Sequence, residues 1–62
     1  MYDTGMIQNE LNKRGWYQKN LAEAAGLNPA TISRLMLTKR ARPKTINAIA
    51  TALKVDPAEL RR

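Results

Sequence analysis

Cysteine and histidine are both absent from this 62-residue chain. Without them no disulfide forms, thiol and imidazole chemistry are excluded, and the usual zinc ligands are missing. No cofactor and no metal site is therefore expected. Acidic residues are scarce, five Asp and Glu in all, and they are scattered. Asp3, Glu10, Glu23, Asp56 and Glu59 include residues placed to cap helices or to sit on solvated faces. No nucleophile beside a base and no phosphate-cradling glycine loop is present, so no catalytic residue is named and the chain is not expected to be an enzyme. Long apolar runs are missing too, and nothing approaches the ~20 residues of a membrane span. The opening "MYDTGMIQNE" lacks the basic-then-apolar layout of a signal peptide. The expectation is a soluble, cytoplasmic chain with no membrane partner. Strand signals, internal repeats, low-complexity tracts and linkers of any length are likewise absent.

What the chain does have is positive charge. Eleven Lys and Arg against five acids leave a net +6. Its distribution is more telling than its total. From Ala24 to Val55 there is no acidic residue, while Arg34, Lys39, Arg40, Arg42, Lys44 and Lys54 all lie there. Four of these crowd into "KRARPK", which gives the middle of the chain a local field suited to a polyanion. A basic run alone is also compatible with a solvated loop, so the reading depends on the segments around it.

Those segments read as helices. The first is expected over about Thr4 to Arg14, with Asp3 or Thr4 as cap, Ile7 and Leu11 inward, and Gly15 closing it in the left-handed conformation. Lys13 and Arg14 then sit at its negative end. A second spans about Gln18 to Ala25, turns Leu21, Ala22 and Ala25 inward, and ends at Gly26. Pro29, in the middle of "GLNPATISRL", looks like a breaker but is a start signal. Asn28 is a strong N-cap, and proline suits the first helical position because its missing N–H has no intrahelical partner there. The third helix is thus expected from Pro29 to about Leu37, with Leu27, Ile32 and Leu35 holding it to the body. Two helices joined by Gly26, Leu27 and Asn28 describe a helix-turn-helix. Ile46, Ile49, Ala50 and Leu53 follow i, i+3, i+4, i+7 spacing, which predicts a fourth helix over residues 44 to 54. In "DPAE" the cap-and-proline device recurs at Asp56 and Pro57, with Glu59 placed to reach back to the cap. A short fifth helix carrying Leu60 inward is expected from it. The fold class is all-α: a compact five-helix domain over residues 1–62, its helix-turn-helix at about 18–37.

The stretch "QKNLAEAAGLNPATISRLMLTKRARPKTINAIATALKVDPAEL" resembles the Cro and lambda-repressor, or XRE, family of helix-turn-helix regulators. The likeness runs from about Ile7 to Leu60 and is carried by "Q..LA..AGL", "ISRL", the basic loop ending in Pro43, and "IA.AL.V". It implies a recognition helix, the third, lying in the major groove of double-stranded DNA. With Ile32, Leu35 and Met36 inward, Ala30, Ser33, Arg34 and Leu37 turn outward. On this resemblance the base-contacting residues are Ala30, Ser33 and Arg34. Arg34 is suited to fork onto O6 and N7 of guanine, Ala30 to meet a thymine methyl, and Ser33 to bond a base or phosphate. Gln18 matches a position that bonds a phosphate and braces the recognition helix. Asn28 and Thr31 are expected at the backbone or a groove edge, and Lys39, Arg40, Arg42 and Lys44 along the backbone.

Three positions depart from the family pattern. Many members carry Gln where this chain has Pro29 and use it to read a base, so more of the specificity falls to Arg34. Tyr17 stands where a short capping residue is usual. Leu11 and Met36 stand where some relatives bury an Arg–Glu pair, an exchange that costs nothing when both partners become apolar. The resemblance implies a transcriptional regulator, a repressor of phage or mobile-element type, binding a two-fold operator as a homodimer in the cytoplasm of a bacterial or phage-infected cell. The alternative is a protein-interaction module, such as an antitoxin or anchoring domain, presenting Trp16, Tyr17 and Leu60. Trp16 matches a core position of the family, which favours its burial.

Overall fold

Residues 1–61 are described by the structure, a computed structural model. Four α-helices follow in order: α1 (Thr4–Arg14), α2 (Gln18–Ala25), α3 (Pro29–Thr38) and α4 (Pro43–Leu53), then a 3₁₀ turn (Pro57–Leu60). The expected fifth helix is thus corrected to that 3₁₀ turn. Its four residues close only i→i+3 bonds, Glu59 N–H to Asp56 C=O at 2.9 Å and Arg61 N–H to Ala58 C=O at 3.3 Å, too short a run for an α ladder. The fourth helix also begins one residue earlier than the apolar spacing indicated, with Pro43 at its first position. All three prolines therefore open helical elements.

The starts are set by local hydrogen bonding. Asp3 is the cap of α1 and takes the Met6 N–H at 3.0 Å. Asn28 takes the Ala30 N–H at 2.9 Å. Asp56 takes the Ala58 N–H at 2.9 Å while Glu59 accepts the Asp56 N–H at 3.0 Å, a reciprocal capping box. Tyr17 has no side chain able to cap α2. Asn20, three residues on, supplies half of such a box by accepting the Tyr17 N–H at 2.7 Å.

Three helices end alike. Gly15, Gly26 and Lys54 adopt the left-handed conformation, with φ of 67°, 69° and 58°. The residue after each donates back to the last turn: Trp16 to Leu11, Leu27 to Ala22 and Val55 to Ala50, at 2.9, 2.8 and 3.0 Å. This is the Schellman arrangement, which favours an apolar residue at the last donor. Trp16, Leu27 and Val55 are indeed among the partly buried residues that pack onto the core. The chain is turned inward at each of these ends.

One core results. Ile7 and Leu11 of α1, Leu21 and Ala22 of α2, and Ile32 and Leu35 of α3 are buried. So are Ile46, Ile49, Ala50 and Leu53 of α4, together with Leu60. Met36 packs at the edge of this cluster, so Leu11 and Met36 are both part of an apolar body. Leu60 has no exposed surface, which removes it from the interaction surface considered above; Trp16 is half-buried. Truncating one such core Leu or Ile to Ala costs about 2–5 kcal/mol, comparable with the ~3–5 kcal/mol that a core of this size supplies.

The N-terminal residues are tied down. Tyr2 donates its N–H to Lys39 C=O at 3.0 Å, and Asp3 donates to Leu60 C=O at 2.7 Å. Arg14 links α1 to α4: its guanidinium donates to Leu53 C=O at 2.6 Å, to Glu10 C=O at 2.8 Å and to the Glu10 carboxylate at 3.0 Å. It also lies 5.9 Å from the centre of the Trp16 ring, a cation–π distance. A cation at the carbonyl end of α4 complements the helix dipole there.

Candidate nucleic-acid interface

The presentation of α3 follows from the turn before it. Gly26 accepts the left-handed angle, Leu27 anchors the turn on the core, and Asn28 with Pro29 restarts the helix. Ala22, small and buried, lets α3 cross closely over α2. With Ile32 and Leu35 buried and Met36 half-buried, Ala30, Ser33, Arg34 and Leu37 are exposed along one stripe. That outward set is the one the helical period implied.

The expected contact residues are distributed unevenly around this stripe. Ser33 donates its hydroxyl to the side-chain oxygen of Gln18 at 3.2 Å, so the first residue of α2 grips the middle of α3. Asn28 commits its side-chain oxygen to the cap. Arg34, Thr31, Arg40 and Arg42 converge with Thr38 and Thr45 on one cleft of about 450 Å³, floored by Leu35 and Ala41. Lys39 and Lys44 are exposed beside it and are not part of its lining. Thr38 and Thr45 were not among the expected residues. Thr38 organises the loop: its hydroxyl donates to Arg34 C=O at 2.9 Å and accepts the Arg40 N–H at 3.2 Å.

α3 ends differently from the other helices. Lys39 is left-handed, with φ of 59°, but its only return bond is N–H to Leu35 C=O at 2.7 Å. No apolar residue follows to turn the chain inward, and Arg40 is exposed. The loop instead runs outward as far as Ala41, which packs against the core, and α4 restarts at Arg42 and Pro43.

The charge here is uncompensated. Among the described residues the ion pairs are Lys13–Glu10 and Arg14–Glu10, each at 3.0 Å; Arg34, Lys39, Arg40, Arg42 and Lys44 join none. The Arg14 hydrogen bond first, and that of Lys13 second, hold the Glu10 carboxyl below its ordinary value of 4.5. Arg42 caps α4 through its backbone alone and Lys44 lies in the first turn, which contains no acid. The positive end of the helix dipole and two cations thus meet in one place, an arrangement that favours an anion.

A family model for the Cro/C1-type HTH DNA-binding domain matches residues 6–61. The chain belongs to that family. Neither curated proteins nor solved structures gave a match. As a Cro/C1-type domain the protein is an all-helical DNA-binding unit built on a helix-turn-helix. Among the described residues no helix is long and apolar enough to cross a membrane.

In this Cro/C1-type domain, Pro29 is exposed at the start of α3 and offers only an apolar ring. Tyr17 is 75% exposed and lines, with Trp16, Gln18 and Lys19, an open groove at the start of α2. The sequence signal for Asn20 was available, an amide three residues after the residue that precedes the helix. The roles of Thr38 and Thr45 had no such signal, because they depend on how the loop folds back over α3.

Proposed function

We propose that this Cro/C1-type domain is a sequence-specific transcriptional regulator of double-stranded DNA, a repressor of phage or mobile-element type acting in the cytoplasm. α3 lies in the major groove, with Arg34 reading guanine, Ala30 meeting a thymine methyl and Ser33, held by Gln18, completing the base-edge contacts. Arg40, Arg42, Lys39 and Lys44 follow the phosphate backbone, with Gln18, Asn28 and Thr31 at the backbone or groove edge. Two copies bind a two-fold operator whose half-sites are about 34 Å apart. The observation that carries the reading is the meeting of two surfaces: Arg34, from the exposed stripe of α3, lines one cleft with Arg40 and Arg42 of the unpaired basic segment.

The test is selection from a randomised duplex library at about 150 mM salt, where non-specific binding is already weakened. A palindromic motif with guanine at a fixed offset in each half-site is the expected result. Enrichment of one half-site alone retains the regulator and rejects the dimer. No enrichment rejects sequence-specific reading and turns the search to a protein partner.

A further inference from the structure

The loop between α3 and α4 is fastened residue by residue. Lys39 accepts the Tyr2 N–H on its carbonyl at 3.0 Å, Ala41 packs against the core, and Arg42 is already the cap of α4. Arg40, between them, is exposed and joins no ion pair among the described residues. Its backbone N–H is held by one side chain, the hydroxyl of Thr38, at 3.2 Å. That hydroxyl donates its single hydrogen to Arg34 C=O at 2.9 Å, which leaves its lone pairs for the Arg40 N–H. The other acceptor in its reach, at 3.4 Å, is again Arg40, through its carbonyl. One side chain therefore joins the backbone of Arg34 in α3 to the backbone of Arg40 in the loop.

This hydroxyl adds little to stability. Thr38 is exposed at the end of α3 and its bonds lie at the surface, where water replaces them at small cost. What it fixes is the path of the chain out of the helix, and with it the place of the Arg40 side chain relative to Arg34. A loop ordered before it meets its ligand does not have to be ordered on binding. Resting on the DNA-reading role proposed above, we propose that Thr38 is a positioning residue. Its hydroxyl holds Arg40 in register with Arg34, so that the base-reading helix and the backbone-following loop engage one duplex as a rigid unit. Thr38 acts through Arg40 and makes no contact of its own with the DNA.

The experiment titrates the selected site and a random duplex at about 150 mM salt with wild type, Thr38→Val, Thr38→Ser, Arg40→Gln and the Thr38→Val, Arg40→Gln double variant. Valine keeps the branched shape and removes only the hydroxyl. Thr38→Val is expected to bind both duplexes more weakly, by up to about tenfold per bound copy, the effect of having to order one residue on binding. Its base preference stays as in wild type, and its melting temperature stays within about 4 °C. Titration well below both melting temperatures keeps every variant folded. Thr38→Ser, which retains the hydroxyl, restores the affinity. In the Arg40→Gln background the valine has no further effect. Wild-type affinity in Thr38→Val overturns the proposal, as does a serine that fails to rescue. A valine penalty that persists beside Arg40→Gln also overturns it, because the hydroxyl then meets the DNA directly. So does an Arg40→Gln variant that binds like wild type, since nothing is left to position. If wild type itself binds neither duplex, the DNA-reading role fails and this inference falls with it.

Discussion

Two clusters of positive charge, one at the end of α1 and one between α3 and α4, have opposite fates. Lys13 and Arg14 lie at the carbonyl end of their helix, share Glu10, and Arg14 also reaches the carbonyl end of α4. Arg14 is engaged across two helices, while Lys13 stays exposed beside the carboxylate they share. Arg42 and Lys44 lie at the amide end of α4, where a cation opposes the dipole, and neither they nor Arg34, Lys39 and Arg40 have an acidic partner among the described residues. Their charge acts outward. Net charge by itself says little: Arg14 joins two helices, whereas the cations between α3 and α4 stand near the amide end of α4 with no acidic partner among the described residues.

Neutralising the outward cluster should have the largest effect. Lys39→Gln, Arg40→Gln and Arg42→Gln together should weaken binding to all duplexes on the order of a hundredfold per bound copy at physiological salt and reduce the salt slope by up to about 2.7 per bound copy. Anisotropy titrations across a salt series measure both, and an unchanged slope rejects the backbone role. Lys13→Gln, by contrast, should leave the slope where it is. Arg34→Ala should cost about 1–3 kcal/mol on the selected site and relax preference at one base position per half-site. Binding to random duplex should fall much less, which competition titrations compare directly.

On the inward cluster the readout is stability. Arg14→Met loses charged hydrogen bonds across two helices and should destabilise by about 1.5–3 kcal/mol. Urea unfolding tests this, and a shift below about 0.5 kcal/mol removes Arg14 from the account. A finer contrast uses the two left-handed lysines. Lys54→Gly and Lys39→Gly each relieve a strained angle and should stabilise by about 0.5–1 kcal/mol, a rise of a few degrees in melting temperature. Only Lys39→Gly should also weaken DNA binding, because only Lys39 belongs to the outward cluster.

The smallest effect is a pH dependence. Glu10 has its carboxyl value lowered in the folded state by Arg14 and then by Lys13. Its contribution is therefore present above the ordinary value of 4.5 and lost as pH falls through the depressed one. Melting curves of wild type and Glu10→Gln should differ at neutral pH and converge in acid. A difference that persists at the lowest pH contradicts the assignment.

Short-range chemistry is legible in the amino-acid order alone. Asn28 before Pro29 and Asp56 before Pro57 announce helical starts because cap and orphan N–H are two residues apart. Gly15 and Gly26 announce ends because few residues accept their angle. The period of Ile46, Ile49, Ala50 and Leu53 names its own buried face. The outward stripe of α3 follows in the same way.

Tertiary structure decided what depends on residues distant in the chain. Arg14 meets Leu53 across 39 positions, Tyr2 donates to the carbonyl of Lys39, and Asp3 to that of Leu60; no local pattern encodes such meetings. Lys39 and Lys54 take an angle their residue type disfavours because the surrounding packing fixes it. The 3₁₀ turn, which the cap chemistry alone extended to a helix, is held by the burial of Leu60 against the other elements. The convergence of Arg34, Arg40 and Arg42 on one cleft was likewise set by the path of the loop. Local hydrogen bonding and helical period act over a few residues, whereas the cleft and the clamps exist only where packing has already brought separate helices together.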